Sequence, residues 1–173
     1  MEIRRGYIQL YAGNGKGKTT AAIGLSIRAA GAGLKVFIAQ FVKGLHYSEL
    51  DILKKVPLIE VKQYGRDCFI KHRPDENNII AARHGLKEVT DIIFENKTDV
   101  LILDEVCVAL HYHLFEMYEL KRLLDRKPES MEIILTGRYA PEELSTMCDL
   151  ITDMTEVKHY YKNGVQAREG IEY

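Results

Sequence analysis

Chemistry is concentrated in one short stretch, Gly13-Asn14-Gly15-Lys16-Gly17-Lys18-Thr19-Thr20, which follows a β-rich run and opens into helix formers. Glycines let backbone N–H groups turn inward around phosphate oxygens, and a helix N-terminus adds unpaired N–H groups and a positive dipole end. Lys18 then supplies a point charge for the phosphates and Thr19 a hydroxyl able to ligate Mg²⁺. Gly13, Asn14, Gly15, Lys16, Gly17, Lys18, Thr19 and Thr20 are therefore the expected ATP-binding residues, with Lys18 and Lys16 bearing on the chemical step. The strict phosphate-loop spacing places a glycine five residues before Gly17, where this chain has Ala12. The competing reading is a glycine turn with incidental basic residues. Against it stand the preceding strand, the Gly-Lys-Thr order and an acidic strand end downstream.

That acidic end is Asp104-Glu105, after the apolar run Leu101-Ile102-Leu103. In phosphate-loop proteins a carboxylate there holds Mg²⁺ directly or through water, whereas its other use is as a helix N-terminal carboxylate. The expected metal residues are Thr19, Glu105 and Asp104, with Asp104 closer to a structural role. A third strand end, Thr136-Gly137-Arg138, should reach the same edge of the sheet. Arg138 there has two readings, a phosphate contact or lid and a surface ion pair. Neither a Gly-x-Ser-x-Gly elbow nor a His-Glu-x-x-His pair occurs, and His111 and His113 read as surface or packing residues. Nothing in the sequence proposes a dedicated general base.

The elements that must position these residues alternate strand and helix along the chain. Strands are expected at 7–11, 35–42, 58–64, 100–103, 132–135 and 150–154, and helices at 20–32, 48–55, 79–95 and 118–125. Pro141 sits in the first turn of a further helix. Residues 35–42 read as an apolar strand, and the continuous apolar run at 100–103 suits a strand covered on both faces, so the fold class is α/β: a phosphate-loop, nucleoside-triphosphatase-like, mostly parallel sheet with helices on both faces. Residues 65–78 form the longest non-periodic stretch, and long loops in compact domains are often functional. No repeat or linker divides the chain, which reads as one domain over 1–173.

Composition narrows the partners. The hydrophobic share is 46% and the charged share 28%, which excludes disorder and a disulfide scaffold. Lys plus Arg number 24 against 25 for Asp plus Glu, so the formal charge of −1 offers nothing general to nucleic acid or membranes. A bound anion must be held by a local site. Cys68, Cys107 and Cys148 are too far apart for a zinc pattern, and no stretch approaches the ~20 apolar residues of a membrane helix. The expectation is a cytoplasmic protein with reduced thiols.

Taken together, the motifs resemble the phosphate-loop class of ATP:corrinoid adenosyltransferases, over almost the whole chain. The segment from Gly13 to Ala22 is similar to that family's shortened loop, which explains Ala12 in place of glycine. Gln40-Phe41-Val42-Lys43-Gly44, Leu103-Asp104-Glu105, the stretch from Leu135 to Leu144, and the tail Gly164-Val165-Gln166-Ala167-Arg168-Glu169-Gly170-Ile171-Glu172-Tyr173 resemble further signatures. Family members often place a tryptophan in the corrinoid pocket. This chain has none, and in the matching segment, 65–70, Phe69 is the remaining aromatic. Only a few residues precede the first strand, where some members carry an extension that covers the site.

The resemblance implies transfer of the 5′-deoxyadenosyl group from ATP to the Co(I) of a reduced corrinoid, releasing triphosphate, in adenosylcobalamin biosynthesis or salvage. It further implies Mg²⁺ (or Mn²⁺), ATP binding by Arg138 as well as by the loop, corrinoid binding by Phe69, a reduced flavoprotein as electron donor, and a homodimer. Co(I) is itself a strong nucleophile, which agrees with the missing base. For Phe69 the alternative is a core aromatic in a folded loop. Rival functions are a phosphate-loop kinase or ATPase and a non-catalytic nucleotide-binding switch. The zinc-binding cysteine pairs of thymidine kinase are absent.

Overall fold

The computed structural model describes residues 5–66 and 73–173. Six strands form one sheet: β1 (Ile8–Ala12), β2 (Val36–Phe41), β3 (Ile59–Tyr64), β4 (Val100–Asp104), β5 (Glu132–Thr136) and β6 (Leu150–Asp153). Their spatial order is β3-β2-β4-β5-β1-β6, and all neighbours are parallel. Six helices accompany them: α1 (Lys18–Gly31), α2 (Glu49–Leu53), α3 (Glu76–Glu95), α4 (Val106–His111), α5 (Met117–Leu124) and α6 (Glu142–Ser145). A 3₁₀ turn, Tyr160–Asn163, lies in the C-terminal segment.

Strand periodicity divides the core in two. Phe37, Ala39, Leu101 and Leu103 point into the layer beneath α3, α4 and α5, with Leu86, Val89 and Leu120 opposite them. Val36, Ile38, Val100 and Ile102 point the other way, against Ala22 and Ala29 of α1 and Leu53 of α2. β2 and β4 are buried along their full length because both faces are covered, which is why β4 reads as an unbroken apolar run and β2 as one interrupted only by Gln40. β6 is an exposed edge strand. Among the described residues no helix is long and apolar enough to cross a membrane.

Boundaries differ from the sequence reading for local reasons. α3 begins at Glu76 rather than 79, because Asp75 caps it: its carboxylate accepts from the Asn78 N–H while the Asn78 side chain accepts from the Asp75 N–H. Asn in place of the usual Glu or Gln hides that capping box. Pro141 is the N-cap of α6 instead of its first helical residue. α4, with only six residues, is too short to show a helical period in the sequence.

The order matters for the site. β1 lies between β5 and β6, while the helix after it carries the chain over β5 and β4 to β2. Ligands of open parallel sheets bind beyond the carboxyl ends of strands at such a reversal. The glycine loop, Gln40, Asp104-Glu105 and Thr136 all stand at that edge.

Candidate active site

The loop leaves β1 at Ala12 and re-enters regular structure at Lys18, the first residue of α1. Gly13 has φ 97°, and a Cβ there would stand 2.2 Å from Asp153 Oδ1, so the position accepts only glycine. Gly17 caps α1 with φ 119°, no side chain caps the helix, and no acidic residue lies in its first turn. The N-terminal N–H groups of α1 thus face the loop with their dipole uncompensated.

Lys18 is buried and folds back over the loop, its Nζ donating to Gly13 O at 2.8 Å and Gly15 O at 2.7 Å. Burial pulls its pKa down, with Glu105 opposing the shift and Arg138 adding to it. Asn14 and Thr20 are exposed, while Gly15 is buried with its N–H on Met154 O at 2.6 Å. Lys16 departs from the site residues' common direction. Its Nζ donates to Glu172 Oε1 at 2.8 Å, Ile171 O at 2.9 Å and Tyr160 OH at 3.2 Å, which anchors the C-terminal segment to the crown of the loop. The backbone O of Tyr173 also accepts from Ser48 Oγ at 3.1 Å.

Beneath the loop is a buried polar cluster centred on Asp104, which is 1% exposed. Its Oδ1 accepts from Thr19 Oγ1 at 2.9 Å and Thr136 Oγ1 at 2.7 Å; its Oδ2 accepts from Lys43 Nζ at 2.8 Å and Gln40 Nε2 at 3.4 Å. Burial pushes the Asp104 pKa up, but the Lys43 charge and hydrogen bond, with Thr136 and Thr19, outweigh it and hold the carboxyl below its usual range. A carboxylate has about four acceptor positions, and these four donors use them.

Glu105 is the contrasting neighbour. Its backbone is left-handed, φ 59°, and pinned by donation from its N–H to Thr136 Oγ1 at 2.9 Å. Its carboxylate does not cap α4 and makes no hydrogen bond or ion pair among the described residues. Burial raises its pKa, the Asp104 charge adds to that, and Lys43, Lys18 and Arg138 oppose. Asp104 is therefore already satisfied, while Glu105 is a half-buried carboxylate with no hydrogen-bond or ion-pair partner among the described residues. Arg138 is exposed and has no carboxylate within ion-pair distance among the described residues, yet its charge acts on both Lys18 and Glu105. The same charge also reaches the carboxylate of Glu156 and helps to lower its pKa, after the closer effect of Lys162.

Three members of the cluster carry no role in the sequence reading: Lys43, Gln40 and Thr136. Their signals are polar character at or just beyond the carboxyl ends of otherwise apolar strands, and their place in segments that resemble family signatures. His111 stacks on Tyr139, ring centres 4.2 Å apart, as a packing residue would. Phe69 lies outside the described residues.

The donor set fits a hard divalent ion. Among the described residues no three or more His, Cys, Asp or Glu gather as a self-sufficient cage. Mg²⁺ does not require one, since it is usually held by one or two protein oxygens together with phosphates and water. The Thr19 proton goes to Asp104 and one hydroxyl lone pair accepts from Lys43 Nζ at 3.3 Å, which leaves the other lone pair to serve as a ligand beside the unpartnered Glu105.

Comparison with known proteins bears on the fold and the family. The described fold is shared with a KaiC-like protein from Pyrococcus horikoshii, TM-score 0.54 at 16% identity, covering 86% of this chain and 72% of that one. Curated relatives include the corrinoid adenosyltransferase of Escherichia coli K12, 30% identical over 169 residues, which cover 98% of this chain and 86% of that protein. Another is the corrinoid adenosyltransferase CobA of Salmonella typhimurium, 31% identical over 173 residues, with 98% and 86% covered. The family model for ATP:corrinoid adenosyltransferase BtuR/CobO/CobP matches residues 4–173, and the chain belongs to that family.

Proposed function

We propose that the chain transfers the 5′-deoxyadenosyl group of ATP to the Co(I) of a reduced corrinoid, with the loop and the strand ends acting on the triphosphate. The Co(I) electron pair forms a bond to C5′ as the C5′–O bond breaks, and that bonding pair leaves with triphosphate. No side chain has to remove a proton, which suits a site without a general base. The protein's work is to hold C5′ in line with cobalt and to stabilise the growing negative charge. The amides of Gly13, Asn14 and Gly17, the first turn of α1 at Thr20, and Lys18 and Arg138 suit the phosphates, while the Gly15 N–H would join them by exchanging Met154 O for a phosphate oxygen. Lys16 would join them by exchanging Glu172 for a phosphate oxygen.

Mg²⁺ or Mn²⁺, bound by Thr19 and Glu105, would add positive charge against the departing oxygens. Asp104 orients Thr19 and is the structural member of the pair. The observation that carries this reading is the 2.9 Å bond from Thr19 to the saturated Asp104, next to a carboxylate with no partner. Phe69 is the proposed corrinoid contact, and a reduced flavoprotein the electron donor. A homodimer of single-domain chains in the cytoplasm completes the proposal. Mg²⁺ titration of turnover tests the metal assignment. Thr19→Val and Glu105→Gln should each shift the curve to higher Mg²⁺, and curves identical to wild type would remove both residues from the metal site.

A further inference from the structure

One charged group in the cluster remains without a task. Lys43 is the second residue after β2 and is 8% exposed. The chain makes an unusual effort to put it there. Val42, a β-branched residue, takes φ 63°, a backbone region that such side chains avoid and that persists only where the surroundings enforce it. The enforcement is visible: the turn is packed so tightly on the end of β3 that a Cβ on Gly65 would stand 2.6 Å from the Lys43 backbone N, and one on Gly44 2.3 Å from the Arg66 carbonyl carbon.

The turn delivers the ammonium to two atoms at once. Nζ lies 2.8 Å from Asp104 Oδ2 and 3.3 Å from Thr19 Oγ1, the hydroxyl whose proton is already committed to Asp104. The ammonium therefore stands at a lone pair of the proposed metal ligand. Nζ also stands over the Tyr47 ring, 5.0 Å from its centroid, a cation–π contact that further holds the charge in place.

We propose that Lys43 is a positioning residue and the resident cation of this cluster: it holds Asp104 so that Thr19 is oriented, and its charge makes divalent-metal binding conditional on the nucleotide's phosphates. The inference rests on the metal reading above. Asp104 and Lys43 together are neutral, so a metal ion arriving alone meets an ammonium beside Thr19 and gains only Glu105. Arriving with triphosphate, it brings ligands and negative charge that compensate the repulsion. Removing the ammonium should turn the same cluster into a site that binds metal unaided, since a buried carboxylate left unpaired demands a cation.

The test is Mn²⁺ binding to the intact chain: without nucleotide it is read from the EPR signal of free Mn²⁺, and with ATP, which itself complexes Mn²⁺, from the Mn²⁺ retained with the protein in equilibrium dialysis against the same Mn²⁺ and ATP. Wild type should bind Mn²⁺ weakly alone and tightly with ATP. Lys43→Met should bind Mn²⁺ without nucleotide about tenfold more tightly than wild type, or better. Lys43→Arg, which keeps the charge, should stay weak, and Lys43→Met combined with Asp104→Asn should return to weak binding. A merely structural lysine would not produce a gain of metal affinity. Should Lys43→Met prove too unstable to purify, Lys43→Gln is held to the same criterion. Nucleotide-free affinity within twofold of wild type, or weaker, with normal Mn²⁺ binding in the presence of ATP, overturns the role of Lys43 alone. Wild type that fails to bind Mn²⁺ even with ATP overturns the metal reading and this inference with it.

Discussion

Replacing Thr136 by valine isolates the polar cluster from the packing around it. Valine has nearly the shape of threonine, so no cavity opens in a residue that is fully buried. What disappears is the donor at 2.7 Å to Asp104 and the acceptor at 2.9 Å for the Glu105 N–H. A hydrogen bond to a charged group contributes about 1.5–3 kcal/mol and an orphaned buried donor costs about 1–3 kcal/mol; the Glu105 N–H is only part-buried, so the expected loss is about 2–4 kcal/mol. For a chain of this length each kcal/mol moves Tm by roughly 2–4 °C, which puts the Thr136→Val transition about 5–15 °C lower.

Acidity supplies a second arm. Asp104 titrates lower in the folded chain than its unfolded value of about 3.9, so its contribution is present above that value and is lost as pH falls through the folded pKa. Thr136 is one of the groups that lower it, so the gap between wild type and Thr136→Val should be full above about pH 5 and narrow below about pH 4. Denaturant unfolding in EDTA across pH measures both, with Thr152→Val on exposed β6 as the control, expected within about 0.5 kcal/mol of wild type. A neutral-pH loss no larger than the control's would refute the view that this cluster is held by its hydrogen bonds.

Other outcomes follow from the same geometry. Lys18→Ala should keep its fold but lose roughly a hundred- to a thousandfold in turnover, the usual effect of removing one donor to developing charge, as read by steady-state kinetics. Gly13→Ala, forced against Asp153 and Met154 at φ 97°, should lower both Tm and ATP affinity, which calorimetry and equilibrium binding report. Burial pushes the Cys107 thiol up to about 12 and the Cys148 thiol to about 11, so neither should alkylate in the native chain at about pH 8, while both should once unfolded; mass spectrometry distinguishes the states.

Much of this arrangement is legible in the residues themselves. A glycine-rich link between strand and helix, and strand ends bearing Asp104-Glu105 and Thr136, locate the carboxyl edge because parallel topology leaves no other place for them. The division of labour within Asp104-Glu105 is less visible. It depends on Lys43 and Gln40 from β2 and Thr136 from β5, which adjoin β4 only through strand order. Lys43 escapes a sequence reading for a further reason: its direction is set by the left-handed Val42, a conformation that valine's own preferences argue against. Lys16 shows the opposite failure. Its motif position points to phosphate, but the C-terminal segment, 144 or more residues away, supplies Tyr160, Ile171 O and Glu172 as partners. The edge of α3 is hidden only by an asparagine in a capping role.

The central claim is that the phosphate loop grips a leaving triphosphate instead of an attacked γ-phosphate. Anaerobic incubation of the intact chain with ATP, Mg²⁺ and chemically reduced cobalamin, followed by ³¹P NMR of the products and the absorption spectrum of the corrinoid, tests it in one sample. Inorganic triphosphate should form in equal amount to adenosylated corrinoid, both dependent on Lys18. ADP and phosphate without a cobalt–carbon product, or no consumption of ATP at all, would contradict it.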